Sequence, residues 1–455
     1  MRPIPWFTLA CLLAPGAAAQ TPDTLRDSTA RRIAELTREL EALRREVQDL
    51  AAMTGAGQAR QAPDQRYRQI SGIGSRPFLF RGAAAAVGGY VDIEFAREFD
   101  ANQTHFTQHR FIPFIFAEIS DRLHFGTEIE FEYGGPQSPT RDGEVKVEFA
   151  AFDLNVTQAL NFRAGALLAP LGKFNLVHDS PVNDFTDRPL VDNRIVPTTL
   201  TEAGAGLWGQ VFPSEASVLS YEAYVVNGFN NTLIAYSVNA TTGAITATTN
   251  VRSARGSMRR DNNQGKSLVG RVAFSPALGV ELGASGHTGL YSDQGNGRLT
   301  VAAVDAIVAR GRWELLGEFA RAALTTDDAV ERARALAAYR AARANDSTGF
   351  GAAYAAVRHV TAQQGAYLQA NYHFGQGLKG FPNSTFTAVA RVDHLDVDAD
   401  TDGDAQQRLS LGVNWRPIEQ TAIKVDYQWN WDTPAGSSTS RAPTNRLVAS
   451  VATYF

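Results

Sequence analysis

The charged residues best placed to act on a solute lie in one segment, 170–203, which mixes both charges with aromatic residues and prolines. A loop of this length without evident secondary structure is unusual and generally carries function. Opposed charges across a narrow aqueous passage orient and select passing solutes and ions without forming bonds. The residues predicted to narrow such a passage, here called the predicted constriction, are Arg163, just before this segment, and Lys173, His178, Asp179, Asp184, Asp187, Arg188, Asp192 and Arg194 within it. The alternative is a surface loop that covers the mouth of the passage.

A second group of charges, Asp398, Asp400, Asp402 and Asp404, matches the first half of a calcium loop. Alternate carboxylates in such a loop converge on one hard cation. The twelfth position holds Leu409, where a bidentate glutamate would be needed. A solvated acidic loop tip is therefore favoured over a structural calcium ion, and no other cofactor is predicted.

The sequence carries no signature of an enzyme. Neither H-E-x-x-H nor G-x-S-x-G occurs, and the eight histidines are scattered. The single cysteine, Cys11, falls in a segment predicted to be removed, which excludes a thiol nucleophile and disulfides from the mature chain. A net charge of −4 gives no indication of nucleic-acid binding.

From about residue 90 onward, apolar and polar residues alternate with the two-residue period of a half-buried strand. Ile423 and Val425, for example, alternate with Lys424 and Asp426. Segments of this kind are long enough to cross a bilayer obliquely, so we predict an all-β, antiparallel transmembrane barrel of about 16 strands. A further strand pair within 350–360 would make the count eighteen. The predicted strands are 88–99, 108–119, 122–133, 144–157, 159–169, 204–213, 218–228, 265–275, 278–289, 298–308, 312–323, 364–375, 383–395, 406–416, 420–432 and 445–455.

The connections and the chain end support the same prediction. Short connections such as 276–277 alternate with long ones such as 229–264, as in barrels with short periplasmic turns and long outer loops. The last strand has an apolar face and ends in Phe455, which is typical of outer-membrane barrels; the alternative is an edge strand of a soluble sheet. Residues 326–343 are predicted to form a helix in an outer loop, and a plain surface helix is favoured over a gate.

The N-terminal part divides into three segments before the predicted barrel at 78–455. Residues 1–19 are typical of a secretory signal peptide. Residues 20–54 contain apolar residues at heptad spacing from Ile33 to Leu50, which predicts a periplasmic coiled coil. An amphipathic helix packed on the barrel is the alternative. Residues 55–77 form a predicted flexible linker.

The chain resembles the phosphate-selective porin O and P family in three stretches. These are R-A-G-A-L-L-A-P-L-G-K-F at 163–174, D-R-P at 187–189 and G-A-G-L-W-G at 204–209. The resemblance implies a homotrimeric diffusion channel in outer-membrane lipid, whose third loop folds into the lumen. It also implies passage of small hydrophilic solutes or inorganic ions, with arginine and lysine lining the pore in members named for phosphate.

The predicted lumen is more acidic than that resemblance implies. Its lining positions are Asp92, Glu94, Glu128, Glu130, Glu281, Glu314, Glu318, Arg271, Arg391, Arg408, Arg416 and Lys424. A net acidic channel concentrates cations, so we expect passive diffusion with a weak cation preference. A phosphate- or anion-selective porin is one alternative, and a structural tether or adhesin of the outer membrane is another.

Overall fold

The computed structural model describes residues 85–136, 143–256, 258, 261 and 263–455. The predicted signal peptide, coiled coil and linker, and the predicted barrel residues 78–84, lie outside the described residues. Sixteen of the described strands form one closed antiparallel barrel, as predicted. The barrel strands are β1 (Ala85–Glu98), β2 (Gln103–Glu118), β3 (Leu123–Glu132), β4 (Glu144–Asn155), β5 (Asn161–Leu168), β6 (Thr201–Ser214), β7 (Ser217–Val226), β10 (Ser267–Ala277), β11 (Val280–Leu290), β12 (Arg298–Arg310), β13 (Trp313–Thr325), β14 (Ala362–Phe374), β15 (Thr385–Asp396), β16 (Ala405–Ile418), β17 (Thr421–Thr433) and β18 (Thr444–Tyr454).

Two further strands, β8 (Ile234–Val238) and β9 (Ile245–Thr249), pair with each other in the connection between β7 and β10. They form a separate two-stranded sheet and do not enter the barrel. The alternative of eighteen barrel strands is therefore wrong. The segment 350–360, where the extra pair was expected, contains a helix at Phe350–Ala355.

The barrel closes where β1 pairs with β18, with Tyr90 opposite Tyr454 and Ile93 opposite Val451. Closure leaves no unpaired strand edge, which is a requirement for a sheet inside a hydrocarbon layer. The predicted alternation appears directly in exposure along β17, where Val425 is 49% exposed whereas Lys424 is 1% exposed. The apolar residues thus form the outer surface, and the charged residues point inward.

Aromatic side chains gather at the barrel end that carries the short turns. Trp313 packs on Tyr372 with ring centroids 4.7 Å apart, and Phe386 stacks between Phe374 and Trp415 at 5.7 and 6.0 Å. Rings at this level form the aromatic girdle of membrane barrels. The tight turns at this end include Gly279 and Gly311, whose φ angles of +81° and +64° suit glycine.

The connections at the opposite end are mostly longer and carry the helices. Helix α1 (Leu190–Arg194) lies between β5 and β6, whereas α2 (Asp328–Ala342) and α3 (Phe350–Ala355) lie between β13 and β14. Helix α2 confirms the predicted helix, and the Asp327 side chain caps it by accepting a hydrogen bond from the Val330 amide. Within the described part of the chain, no helix combines the length and apolarity needed to span a membrane.

Candidate functional site: the inward loop

Residues 169–200, here called the inward loop, connect β5 to β6 and cross the barrel interior. The prediction of 170–203 extended too far, because β6 already begins at Thr201. The loop contacts side chains of β11 and of β13 through β18, none of which is adjacent to β5 or β6 in the barrel. Most of its large apolar residues are buried, with Leu171, Ile195 and Leu200 each 0% exposed, whereas Val182 is exposed. The loop is therefore packed into the barrel rather than laid over its mouth.

The first turn of the loop is anchored to β11 and β13. The Lys173 ammonium lies 2.8 Å from a carboxylate oxygen of Glu281, and the Lys173 amide donates to Glu318 at 2.8 Å. The Gly172 amide donates to the Ser285 hydroxyl at 2.9 Å. A Cβ at Gly172 would lie 2.2 Å from the Glu318 carboxylate, and the φ angle of +68° also favours glycine at this position.

The middle of the loop is held by polar side chains of β14, β16 and β17. Asp184 accepts hydrogen bonds from Asn371 at 2.6 Å and Asn414 at 2.8 Å, and lies 3.3 Å from Arg416. The Lys424 ammonium donates to the Ser180 carbonyl at 2.7 Å. These contacts engage two of the predicted lumen residues, Arg416 and Lys424.

Asp187 continues the same pattern at β17 and β18. Its carboxylate lies 2.6 Å from Arg446 and accepts a hydrogen bond from Gln428 at 2.8 Å. Burial opposes ionisation of Asp187, but Arg446 and Arg408 outweigh it and hold the pKa below the usual range. Asp187 therefore carries a stable negative charge at neutral pH.

Asp192, in α1, has the opposite environment. It is 0% exposed, and burial raises its pKa well above the usual range, with Glu318 and Asp393 adding to the effect. The carboxyl group thus favours the neutral form. This reduces the negative charge that the sequence assigned to the loop.

The remaining predicted constriction residues lie in several different environments. Arg163 lies on the wall, 2.7 Å from Asp153 and 3.5 Å from Glu222. Arg188 donates to the Thr198 carbonyl, and burial together with Arg110 lowers its pKa to about 10. His178 and Asp179 are buried against β4 and β18, whereas Arg194 is exposed.

Burial fits the inward placement predicted for the lumen positions. One set is almost fully buried, namely Asp92, Glu128, Glu130, Glu318, Arg271, Arg391, Arg408 and Lys424. The other set is half-buried, namely Glu94, Glu281, Glu314 and Arg416. Which of these residues meet a passing solute stays a prediction.

Several interior charges were missed by the sequence analysis. Asp393 lies 3.1 Å from Arg391 and 3.3 Å from Arg408, and it accepts a hydrogen bond from the Leu190 amide at 2.9 Å. Asp305 forms an ion pair with Arg271. The sequence did contain a signal for Asp393. It lies two residues from Arg391 in β15, and residues two apart in a strand share a face.

A cavity of about 120 Å³ lies between the inward loop and strands β12–β15. Its charged lining residues are the acidic Asp184, Asp187, Asp305 and Glu314 and the basic Lys173 and Arg391. Four acids face two bases, so the lining is net acidic. This space is the candidate path for a solute past the loop.

The predicted calcium residues lie outside this site, in the connection between β15 and β16. Asp398 lies 3.3 Å from Arg358 and accepts a hydrogen bond from Thr401 at 2.5 Å, and Asp400 accepts one from Thr361. Burial raises the pKa of Asp404, and neighbouring aspartates add to the shift. The carboxylates make these other contacts, and calcium binding stays a prediction.

The chain is similar to several known proteins. An uncharacterized protein of Aquifex aeolicus (strain VF5) is 24% identical over 378 residues, which are 80% of each chain. Similar solved structures include an anion-selective porin from Comamonas acidovorans, with 10% identity, 82% of this chain and 99% of that chain covered, and a TM-score of 0.49. Another is the outer membrane channel DcaP of Acinetobacter baumannii, with 12% identity, 83% and 99% coverage, and a TM-score of 0.47.

The family model described as Phosphate-selective porin O and P matches residues 117–455. This range includes the inward loop and all of the barrel except β1 and most of β2. The chain therefore belongs to the phosphate-selective porin O and P family, and it is a porin of the outer membrane.

Proposed function

We propose that this porin passes small hydrophilic solutes and ions by diffusion along the net acidic cavity beside the inward loop, with a weak preference for cations. The observation that carries the proposal is the cavity lining, in which Asp184, Asp187, Asp305 and Glu314 outnumber Lys173 and Arg391. Charges in a channel with low-dielectric walls raise the local concentration of their counter-ions. Screening within about 8 Å at physiological salt keeps that preference weak.

The pairing of the basic side chains also supports a weak preference for cations over anions. Arg391 and Arg408 share the Asp393 carboxylate, and Arg416 is paired with Asp184. A guanidinium already bound to a carboxylate has less attraction left for a passing anion. The same pairing weakens the attraction of Asp184, Asp187 and Asp305 for a cation, which keeps the preference weak. The basic residues of the lumen thus act mainly to hold the loop.

An anion-selective porin is the second candidate, and one feature favours it. Arg252 donates to the Thr198 carbonyl at 2.7 Å, Arg255 donates to the Thr199 carbonyl at 3.0 Å, and Arg188 also donates to Thr198. Burial lowers the pKa of Arg252, and the positive charge of Arg255 adds to the shift. Three guanidinium groups around one stretch of backbone form a region that would attract anions.

The proposal also includes the number of subunits and the orientation of the barrel in the membrane. The family membership supports a homotrimer, with outer-facing residues such as Val425 and Val451 in lipid or between subunits. The short turns and both ends of the barrel would face the periplasm, where residues 20–54 would form parallel helices. Crosslinking in mild detergent tests the trimer, and recovery of monomers alone would refute it.

The reversal potential of the inserted protein in a KCl gradient tests selectivity. We expect a small cation preference that fades as ionic strength rises. Glu314→Gln should reduce it, because Glu314 lines the cavity, whereas the matched control Asp346→Asn removes an exposed charge between α2 and α3 and should leave it unchanged. A strong anion preference, or block of chloride current by micromolar phosphate, would establish the second candidate instead.

A further inference from the structure

The barrel wall beside the inward loop carries an apolar layer between two acidic ones. Residues two apart in a strand share a face, so Asp305 and Ile307 both point inward on β12, as do Glu314, Leu316 and Glu318 on β13. Ile307 pairs directly with Leu316, and Asp305 pairs with Glu318. The apolar pair therefore lies between the acidic pair on one side and Glu314 on the other.

The apolar pair is only half-buried, although it points into the barrel. Leu299, an inward residue of the same β12 strand, is buried in the main interior cluster, whereas Leu316 packs at the edge of that cluster. Leu316 and Ile307 line the cavity beside the inward loop, together with Val177 and Val182 of the loop. The cavity thus has an apolar face on both the wall and the loop, and covering such a face with an apolar group is favourable.

Glu314 supplies a charge next to this face. Its carboxylate accepts a hydrogen bond from Asn371 at 2.8 Å and lies 3.9 Å from the His373 imidazole. Among the residues that the structure describes, no lysine or arginine forms an ion pair with Glu314, whereas Asp305 is paired with Arg271. Of these two carboxylates, Glu314 therefore keeps more attraction for a mobile cation.

The spacing and the volume limit what can use both features. A strand rises about 3.3 Å per residue, so Glu314 and Leu316 are about 7 Å apart along β13. The cavity of about 120 Å³ has the volume of about four liquid water molecules at about 30 Å³ each. An ammonium ion that carries a chain of about two to four carbons matches both the length and the volume.

We infer that this cavity favours organic monocations with a short apolar body, such as alkylammonium ions, over inorganic cations and neutral sugars. The inference rests on the proposed function, in which solutes diffuse along the cavity. The ammonium group lies at Glu314, and the carbon chain covers Leu316 and Ile307. An inorganic cation gains only the carboxylate, and a sugar would place hydroxyl groups against an apolar surface that cannot hydrogen-bond them.

The test measures block of the potassium current through the inserted full-length protein by methyl-, ethyl-, propyl- and butylammonium ions at neutral pH. An ion held in the path obstructs the current, so the half-blocking concentration reports its affinity. That concentration should fall about two- to fourfold with each added carbon, as expected for a methylene group that leaves water. The fall should end near butylammonium, when the cavity is full, and neutral butanol should not block.

Substitutions separate the charge from the apolar layer. Glu314→Gln should raise the half-blocking concentrations of the whole series by a similar factor, about two- to fivefold, which is the strength of an exposed ion pair. Leu316→Asn should instead flatten the dependence on chain length. Val182→Thr, an exchange of similar shape at an exposed loop residue, should flatten it partly and decides the matter if Leu316→Asn does not fold.

Leu336→Asn is the matched control. Leu336 is a half-buried leucine of α2 that lies outside the cavity lining, so its loss should leave the series unchanged. Equal half-blocking concentrations across the series in the wild type would overturn the inference, as would a chain-length dependence that persists in folded Leu316→Asn and Val182→Thr.

The reversal potential in a KCl gradient, measured on the same membranes, keeps the two proposals apart. A cation preference without chain-length dependence rejects the apolar site and leaves the proposed function in place. An anion preference with the chain-length dependence retained supports the apolar site and rejects the cation selectivity of the proposed function.

Discussion

The two parts of the inward loop are held by different forces. Residues 172–188, the polar arm, are bound by ion pairs and hydrogen bonds to the wall, such as those of Lys173 with Glu281 and Asp187 with Arg446. Residues 189–200, the apolar arm, bury Val191, Ile195 and Leu200 in the main hydrophobic cluster of the barrel interior. Apolar packing involves no charges, so it responds less to pH and to screening by salt than ion pairs do. The apolar arm should therefore fix the loop in place, and the polar arm should set how it responds to salt and to acid.

The largest effect is expected from Leu200→Ala, which breaks the apolar arm. Leu200 is fully buried, and a leucine-to-alanine change at such a site costs about 2–5 kcal/mol. A loosened loop should widen the path, so single-channel conductance should rise and become noisier. Leu278→Ala is the control, because Leu278 is fully exposed at a turn. An unchanged conductance in folded Leu200→Ala would show that this arm does not fix the loop.

A smaller effect is expected from Asp187→Asn, which weakens the polar arm. Loss of one charged hydrogen-bonded contact costs about 1.5–3 kcal/mol. The pKa of Asp187 is depressed in the folded protein, so its contribution is present above the unfolded value near 3.9 and is lost as pH falls through the folded value. Wild-type current should therefore become noisier on acidification below about pH 4, and Asp187→Asn should be noisy already at neutral pH. Equal acid sensitivity in both proteins would contradict this assignment.

The smallest effect is expected from the same substitution in the apolar arm, Asp192→Asn. The pKa of Asp192 is raised by burial, so any stability linked to its protonation is present below the unfolded value and is lost as pH rises. Asparagine keeps the shape of the neutral acid and should leave conductance at neutral pH nearly unchanged. At alkaline pH the wild type should loosen and the variant should not. Thermal midpoints measured across pH check this, and an alkaline loss that persists in the variant would assign it to another group.

The barrel was predictable because a lipid-facing wall imposes a two-residue period on every strand. Two predicted strands alternate poorly, 298–308 and 108–119, and the latter lies in β2. There, Ile112, Phe114 and Phe116 are apolar yet buried, and they pack with Tyr90 and Phe149 in an interior cluster. Apolar residues on both faces remove the alternation, so pattern alone could not place this strand well.

The hairpin of β8 and β9 was missed for a related reason. Both strands are five residues long, too short to cross a bilayer, and they lie inside a segment interpreted as a loop. The β-branched residues in Ile245–Thr249 were the available signal. Helix α2 was found because its acidic start and basic end are local signals that need no partner.

The site was predicted less completely than the fold. Charge composition and the family resemblance identified the loop and its charged residues. The contact partners of the loop residues could not be predicted. They depend on which inward-pointing residue of each strand lies beside the loop, and strand register around the whole barrel determines this. Asp393 and Glu148 show the limit, since each meets a loop residue far away in sequence, Leu190 and His178.

The last strand, β18, holds two points of the inward loop, through Arg446 on Asp187 and the Tyr454 hydroxyl on Asp179. β18 is also the strand that closes the barrel against β1. The loop therefore receives these two anchors only when the strand that closes the barrel is in place. Completion of the wall and maturation of the channel become a single step. A chain truncated before Arg446 would lose both the closing seam and the two anchors of the loop.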